Sequence, residues 1–98
     1  MPSVFVLYPT PTDAAVFDQR YRDEHVLLVK EHLSMAKFRP HPVLGAVGGS
    51  PPFHLVVELE FASAEDMEAA LASSGGQSTA GNAFAISSGG PPIMLIVK

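Results

Sequence analysis

The chain has no cysteine, which excludes a disulfide framework and a thiolate metal site and leaves nothing that favours an oxidising compartment. Charge is scarce too: 16% of residues are charged, and the basic ones, Arg20, Arg22, Lys30, Lys37, Arg39 and Lys98, form no dense stripe. Binding to nucleic acid needs several clustered phosphate contacts, so no nucleic acid partner is expected, the more so at a formal net charge of −4. No apolar stretch approaches the roughly 18 residues of a membrane span, and Met1-Pro2-Ser3 runs into an apolar strand without a basic leader. These absences predict a cytoplasmic protein with no membrane partner, built as one domain over residues 1–98. A chain of this length buries only about 60–65% of its unfolded surface. With 47% hydrophobic residues and few charges, it carries more apolar surface than a small monomer normally shows, and a homodimer is the simplest outlet.

What is present reads as alternating strands and helices. Val4 to Tyr8 is a short β-forming run stopped by Pro9 and Pro11. Asp13 is a good N-cap for a helix reaching about Leu33. Met35 to about His41 makes a weaker strand whose Pro40 lacks an amide donor, as does the following Pro42, and so belongs at a sheet edge or bulge. Phe53 to Phe61 is the clearest strand, with Phe53, Leu55, Val57, Leu59 and Phe61 on one face and His54, Val56, Glu58 and Glu60 on the other. Ser63 with Asp66 opens a second helix to Ser73, Ser74-Gly75-Gly76 interrupts it, and further helical turns run from Ser78 to Ile86 before a last strand, Ile93 to Val97.

This β-α-β-β-α-β order predicts an α+β, ferredoxin-like fold, with an antiparallel sheet and helices on one face. The other face carries His54, Val56 and Glu58 and, depending on register, either Val4, Val6 and Tyr8 or Phe5 and Leu7. A second copy packed there completes a dimeric α/β barrel.

At 100° per residue, Phe17, Tyr21, His25 and Leu28 share one stripe of the first helix, which sets an imidazole at the edge of an apolar surface. With an unperturbed pKa near 6.5, His25 can take or give a proton around neutrality; the competing reading is a histidine that satisfies a buried carbonyl. Tyr21 is either a hydrogen-bond donor to a ligand oxygen or a core aromatic. His54 and Glu58 lie on one face but roughly 13 Å apart, too far to share a proton. His32, at the helix end, suits the negative pole of the dipole. His25 and His32 are two turns apart, near 10 Å, and no histidine spacing matches a zinc site, so no metal is expected. The glycine-rich stretches lack a Walker lysine or dinucleotide spacing, and no cofactor is expected; haem would need only one axial histidine, for which His25 could serve.

Three stretches together, Val4-Phe5-Val6-Leu7-Tyr8-Pro9, Phe17-Asp18-x-x-Tyr21-x-x-x-His25, and Phe53 to Ser63 followed by Ala69-Ala70-Leu71-Ala72-Ser73, resemble EthD-type proteins of the dimeric α/β-barrel superfamily. The resemblance covers nearly the whole chain. The EthD name comes from a gene cluster for ethyl tert-butyl ether degradation. The family usually has a proline two residues after the histidine, where this chain has Leu27, and losing it removes a helix kink or break. The resemblance implies a homodimer that binds a small apolar organic ligand in the cavity under the sheet, as a cofactor-free catalyst of monooxygenase, isomerase or cyclase type or as an accessory binding protein of an oxygenase system. It implies His25 as the acid/base, with Tyr21, Tyr8, His54, Glu58, Phe17 and Leu28 around the substrate.

Overall fold

The structure, a computed structural model, describes residues 1–98. Four strands, β1 (Ser3–Pro9), β2 (Lys37–Pro42), β3 (Phe53–Glu60) and β4 (Ile93–Val97), form one antiparallel sheet in the order β2-β3-β1-β4. The proline-bearing β2 lies at an edge, where a missing amide breaks no inner ladder. A helical rod follows β1 as α1 (Ala14–Arg20), a π-helical segment (Tyr21–His25) and α2 (Val26–His32); α3 (Ala64–Ala72) and α4 (Ser74–Ile86) follow β3. This is the ferredoxin-like arrangement.

Caps set the helix starts. Asp13 accepts from the Val16 amide at 3.1 Å and Ser63 from the Asp66 amide at 3.1 Å. Ser73 works in both directions: its hydroxyl donates to the Ala70 carbonyl at 2.6 Å and accepts from the Gly76 amide at 3.0 Å, so α3 ends and α4 begins on one residue. Ser74-Gly75-Gly76 therefore opens α4 instead of interrupting a helix. Glycine is required there by proximity: a Cβ on Gly75 would lie 2.4 Å from the His32 ring, and one on Gly76 would lie 2.0 Å from the Ala70 carbonyl oxygen.

Register decides the faces. Val4, Val6 and Tyr8 stand opposite Leu59, Val57 and Leu55 and are buried under the helices with Phe17, Val29, Met67, Ala83 and Ile86. Phe5 and Leu7 take the open face instead, with Val56, Glu58 and Glu60 beside them. The open face is divided. Towards β2 it is charged, Arg39 lying 3.5 Å from Glu58 and 3.2 Å from Glu60. Towards β4 it is apolar, with Ile93, Leu95 and Val97 respectively 45%, 47% and 39% exposed.

Two local irregularities correct the regular periodicities. The β1–β3 ladder pairs Tyr8 with Leu55 and Pro9 with Phe53, leaving His54 as the extra residue of a bulge. His54 is thereby turned away from the face of Glu58: its Nε2 donates to Asp18 Oδ1 at 2.8 Å, and its ring meets Phe17 edge-on at 5.4 Å. In the helical rod, the Val26 amide reaches back five residues to the Tyr21 carbonyl. This added residue turns the downstream helix, so Val29 and not Leu28 enters the core; Leu28 is half-buried outside it.

Candidate functional site

The elements around the π-turn gather an aromatic cluster. The Tyr8 ring lies 5.1 Å from Phe17, 5.8 Å from Tyr21 and 6.3 Å from His25, and the Tyr21 and His25 rings are 5.3 Å apart. Tyr8, Phe17, Tyr21 and His25 are all less than a tenth exposed. Four residues apart, Tyr21 and His25 would share a face on a straight α-helix too; the wider π-turn keeps both rings together and shifts the residues that follow.

Both nitrogens of His25 are engaged by side chains, not by a buried carbonyl. Nδ1 meets Asn82 Oδ1 at 3.0 Å, and Nε2 faces the Tyr8 hydroxyl at 3.4 Å. Asn82 Nδ2 donates to Glu24 Oε1 at 3.0 Å, and Arg20 grips the same carboxylate through Nε at 2.8 Å and Nη2 at 3.0 Å. Arg20, then Asn82, lower the Glu24 pKa, so Glu24 is ionised and only accepts. Asn82 must then present its amide NH2 to Glu24 and its oxygen to His25. An oxygen at Nδ1 requires a proton there, which leaves the lone pair on Nε2. One surface ion pair thus dictates the tautomer of a buried imidazole.

Burial lowers the His25 pKa below its usual value, and the Asn82 hydrogen bond offsets part of the effect. Burial also raises Tyr8, helped by the nearby Tyr21 phenol, and raises Tyr21, so both keep their protons. A consequence for stability follows. The unfolded imidazole titrates near 6.5 and the folded one lower, so between those values the unfolded chain binds more protons. The contribution of neutral His25 is complete above about pH 6.5 and is lost progressively as pH falls towards the folded pKa. Melting temperatures measured from pH 7.5 to 5 are expected to fall more steeply for the wild type than for His25→Gln; parallel curves would contradict this.

The residues grouped on sequence divide between two spaces. A small cavity of about 40 Å³ under the sheet is lined by His25 with Val4, Val6, Leu59, Ala83 and Met94 among others. It has room for water but not for an organic ligand of ordinary size. An open groove of about 370 Å³, between the π-turn and the β2–β3 edge, is lined by Tyr21, Val26, Pro40, Pro42, His54 and Leu55, with Asp18 and Arg22 also contributing. Tyr21 lines the groove and is one ring away from His25. Phe17 supports both Tyr21, stacked at 6.0 Å, and His54. Glu58 lies across the sheet, accepting from the Ser3 hydroxyl at 3.0 Å and paired with Arg39, and so is not brought to His25. Leu28 is turned away by the π-turn and lines neither space. Asn82 had no sequence signal of its own, sitting in a glycine- and serine-rich stretch with weak helical periodicity; the i,i+4 spacing of Arg20 and Glu24 was the only visible trace of the network.

Sheet order and one-sided helices define the class as a ferredoxin-like α+β protein. The chain belongs to the EthD family: the family model described as EthD domain matches residues 9–83, a span that includes Tyr21, His25, His54 and Asn82. An uncharacterised 11.0 kDa protein from the thcB–thcC intergenic region of Rhodococcus erythropolis is 32% identical over 92 residues, spanning 94% of this chain and 89% of that protein. An EthD family protein of Bacillus halodurans has the same fold at a TM-score of 0.91 and 21% identity, with 100% of this chain and 97% of that one covered. An EthD-like protein of Ralstonia eutropha matches at a TM-score of 0.75 and 27% identity, covering 99% and 89%. A dimeric ferredoxin-like protein of unknown function from Jannaschia gives 0.70 and 15%, covering 100% and 99%. No helix is long and apolar enough to cross a membrane.

Proposed function

We propose that this EthD-family protein binds a small, largely apolar organic molecule between sheet and helices, and that His25 transfers a proton to or from it without a cofactor. Isomerisation, cyclisation and oxygenation are the reaction types such a site suits. The observation that carries the reading is the one-way hydrogen-bond chain from Arg20 through Glu24 and Asn82, which leaves His25 Nε2 as a neutral acceptor among buried aromatic rings. A buried neutral imidazole with a positioned lone pair is a ready general base near neutral pH. Tyr8, Tyr21 and Phe17 lie around it, and His54 lines the groove beyond Tyr21.

The exposed apolar half of the open sheet face supports a homodimer closed through that face, and the dimeric relative from Jannaschia fits this assignment. Native mass spectrometry of freshly purified protein, with its absorption spectrum, is expected to give a dimer carrying a small organic species. A strict monomer rejects the dimer. With the retained compound as substrate, kcat/KM is expected to fall as pH drops through the lowered His25 pKa; a profile that stays flat down to the pH at which the protein unfolds rejects His25 as the base.

A second reading has one observation in its favour: the space touching His25 is small, whereas the groove reached through Tyr21 is ligand-sized. In that reading the protein is a non-catalytic ligand-binding or accessory protein of an oxygenase system. It predicts affinity that does not vary with pH and no turnover.

A further inference from the structure

The Tyr21 hydroxyl is buried and makes no hydrogen bond. Phenylalanine would fill nearly the same space, so packing leaves the oxygen unexplained, and burying it unpaired works against the position in which the ring rests. The backbone of this residue is held on both sides: its amide donates to the Asp18 and Phe17 carbonyls, and its carbonyl accepts from the Val26 amide across the π-turn. Its freedom to move therefore lies in the side chain. The ring separates two spaces. One side lines the groove of about 370 Å³, and the His25 ring lies 5.3 Å away at a tilt of 31°. Rings so close and so nearly parallel face one another, so space vacated by Tyr21 opens onto the imidazole. The groove, lined also by Pro40, Pro42 and Val43, is of a size that takes a whole small ligand and so has room for one phenol ring.

We propose that Tyr21 is a gate: its ring swings into the groove, where its hydroxyl meets water, and the space it leaves joins the groove to His25. This rests on the reading of His25 as the group a ligand must reach, and adds the route. In the closed position the ring keeps its stacking on Phe17 at 6.0 Å and its edge contact with Tyr8 at 5.8 Å, while the hydroxyl goes unpaired. In the open position the hydroxyl is hydrated and those contacts are lost. The two effects oppose each other, as an element with two states requires, and the aromatic contacts make the closed state the majority. The frame around the gate stays in place. Tyr8 and Phe17 are fully buried, Phe17 is braced edge-on by His54, which Asp18 anchors at 2.8 Å, and His25 is held by Asn82. What enters must take the place of a flat ring between Phe17 and His25, which selects planar, apolar molecules.

The chain has two tyrosines and no tryptophan, so protein labelled with 3-fluorotyrosine gives two fluorine signals, assigned with Tyr8→Phe and Tyr21→Phe. Saturation-transfer and relaxation-dispersion spectra are expected to show a minor, water-exposed state for Tyr21 and none for Tyr8. Val43→Trp, which fills the groove, is expected to abolish that state. Diethyl pyrocarbonate, which acylates neutral imidazole nitrogens, supplies a second readout, with the exposed His41 as internal reference. Modification of His25 relative to His41 is expected to slow about fivefold or more in Tyr21→Phe, whose ring gains no hydration by opening. It is expected to slow in Val43→Trp as well, and in all three proteins to be insensitive to dilute urea, which accelerates any route through unfolding. A single Tyr21 state, or exchange that persists unchanged in Val43→Trp, overturns the gate. So does modification of His25 that is equally fast in the three proteins or that rises with urea. None of these results touches the proton-acceptor reading, which the pH profile with the retained compound decides.

Discussion

Replacing Asn82 by alanine is expected to slow any proton transfer through His25 by a large part of the roughly 10²–10⁴-fold that a positioned acid–base group contributes. Asn82 lines neither the cavity nor the groove, so the loss must act through the imidazole. Without the Asn82 oxygen, nothing holds the proton on Nδ1. The ring can then carry it on Nε2, facing Tyr8, which converts the acceptor into a donor. Nitrogen chemical shifts of the His25 ring report this directly: a single Nδ1–H tautomer is expected in the wild type and a mixture in Asn82→Ala. A stability cost of about 1–3 kcal/mol is expected as well, because a buried N–H loses its partner. Asn82→Asp separates orientation from charge. Its carboxylate can still accept from Nδ1 and should raise the His25 pKa, while its proximity to Glu24 adds like-charge repulsion. A single unchanged tautomer in Asn82→Ala would show that the orientation of His25 comes from Tyr8 or from packing alone.

The chain's regular features were legible and its irregular ones were not, for a common physical reason. Alternation over Leu55 to Phe61 gives the inner face of β3 correctly, because a strand with one buried face must repeat every two residues, whereas Phe53, on the far side of the bulge at His54, is not part of the core. The helix start at Asp13 and the edge position of β2 follow from single residues whose preference is intrinsic. The β1 faces, by contrast, depend on pairing with β3, which places Tyr8 beneath the helices and Phe5 outside. The bulge at His54 and the π-turn at Tyr21–His25 each insert one residue into a repeat. Such an insertion turns a side chain to a different face while leaving composition untouched. His54 consequently joins the helix side and parts from Glu58, and Leu28 yields its place to Val29. The Tyr21–His25 pair survives because its spacing lies inside the wider turn. No helix-kinking proline follows His25, yet the rod still departs from α geometry at this histidine. Asn82 was invisible for a different reason: its role consists of contacts to residues 57 and 58 positions away.

The two glycine substitutions on α4 are expected to move stability in opposite directions. Gly76→Ala would put a methyl carbon 2.0 Å from the Ala70 carbonyl oxygen and 3.1 Å from Ser73 Oγ. Both are parts of the turn that ends one helix and begins the next, so neither can yield without breaking a cap. A loss on the order of 3 kcal/mol is expected, at the upper end of overpacking costs. At about 4–8 °C per kcal/mol for a chain of this size, that is roughly 12–24 °C in Tm. Gly81→Ala lies five residues on, exposed in the middle of the same helix, where a Cβ meets nothing within 4 Å. There the gain in helix propensity should appear almost undiluted, at about 0.5–1 kcal/mol. The pair also bears on the site, because α4 carries Asn82. Gly76→Ala must shift the helix away from Ala70 to relieve the overlap, and Asn82 sits under two turns further along. A destabilised Gly76→Ala protein that remains folded at low temperature should therefore show the same mixed His25 tautomer as Asn82→Ala, while Gly81→Ala keeps the wild-type ring. If Gly76→Ala were as stable as the wild type, the close crossing of α3 and α4, and with it the explanation for the glycine pair, would be wrong.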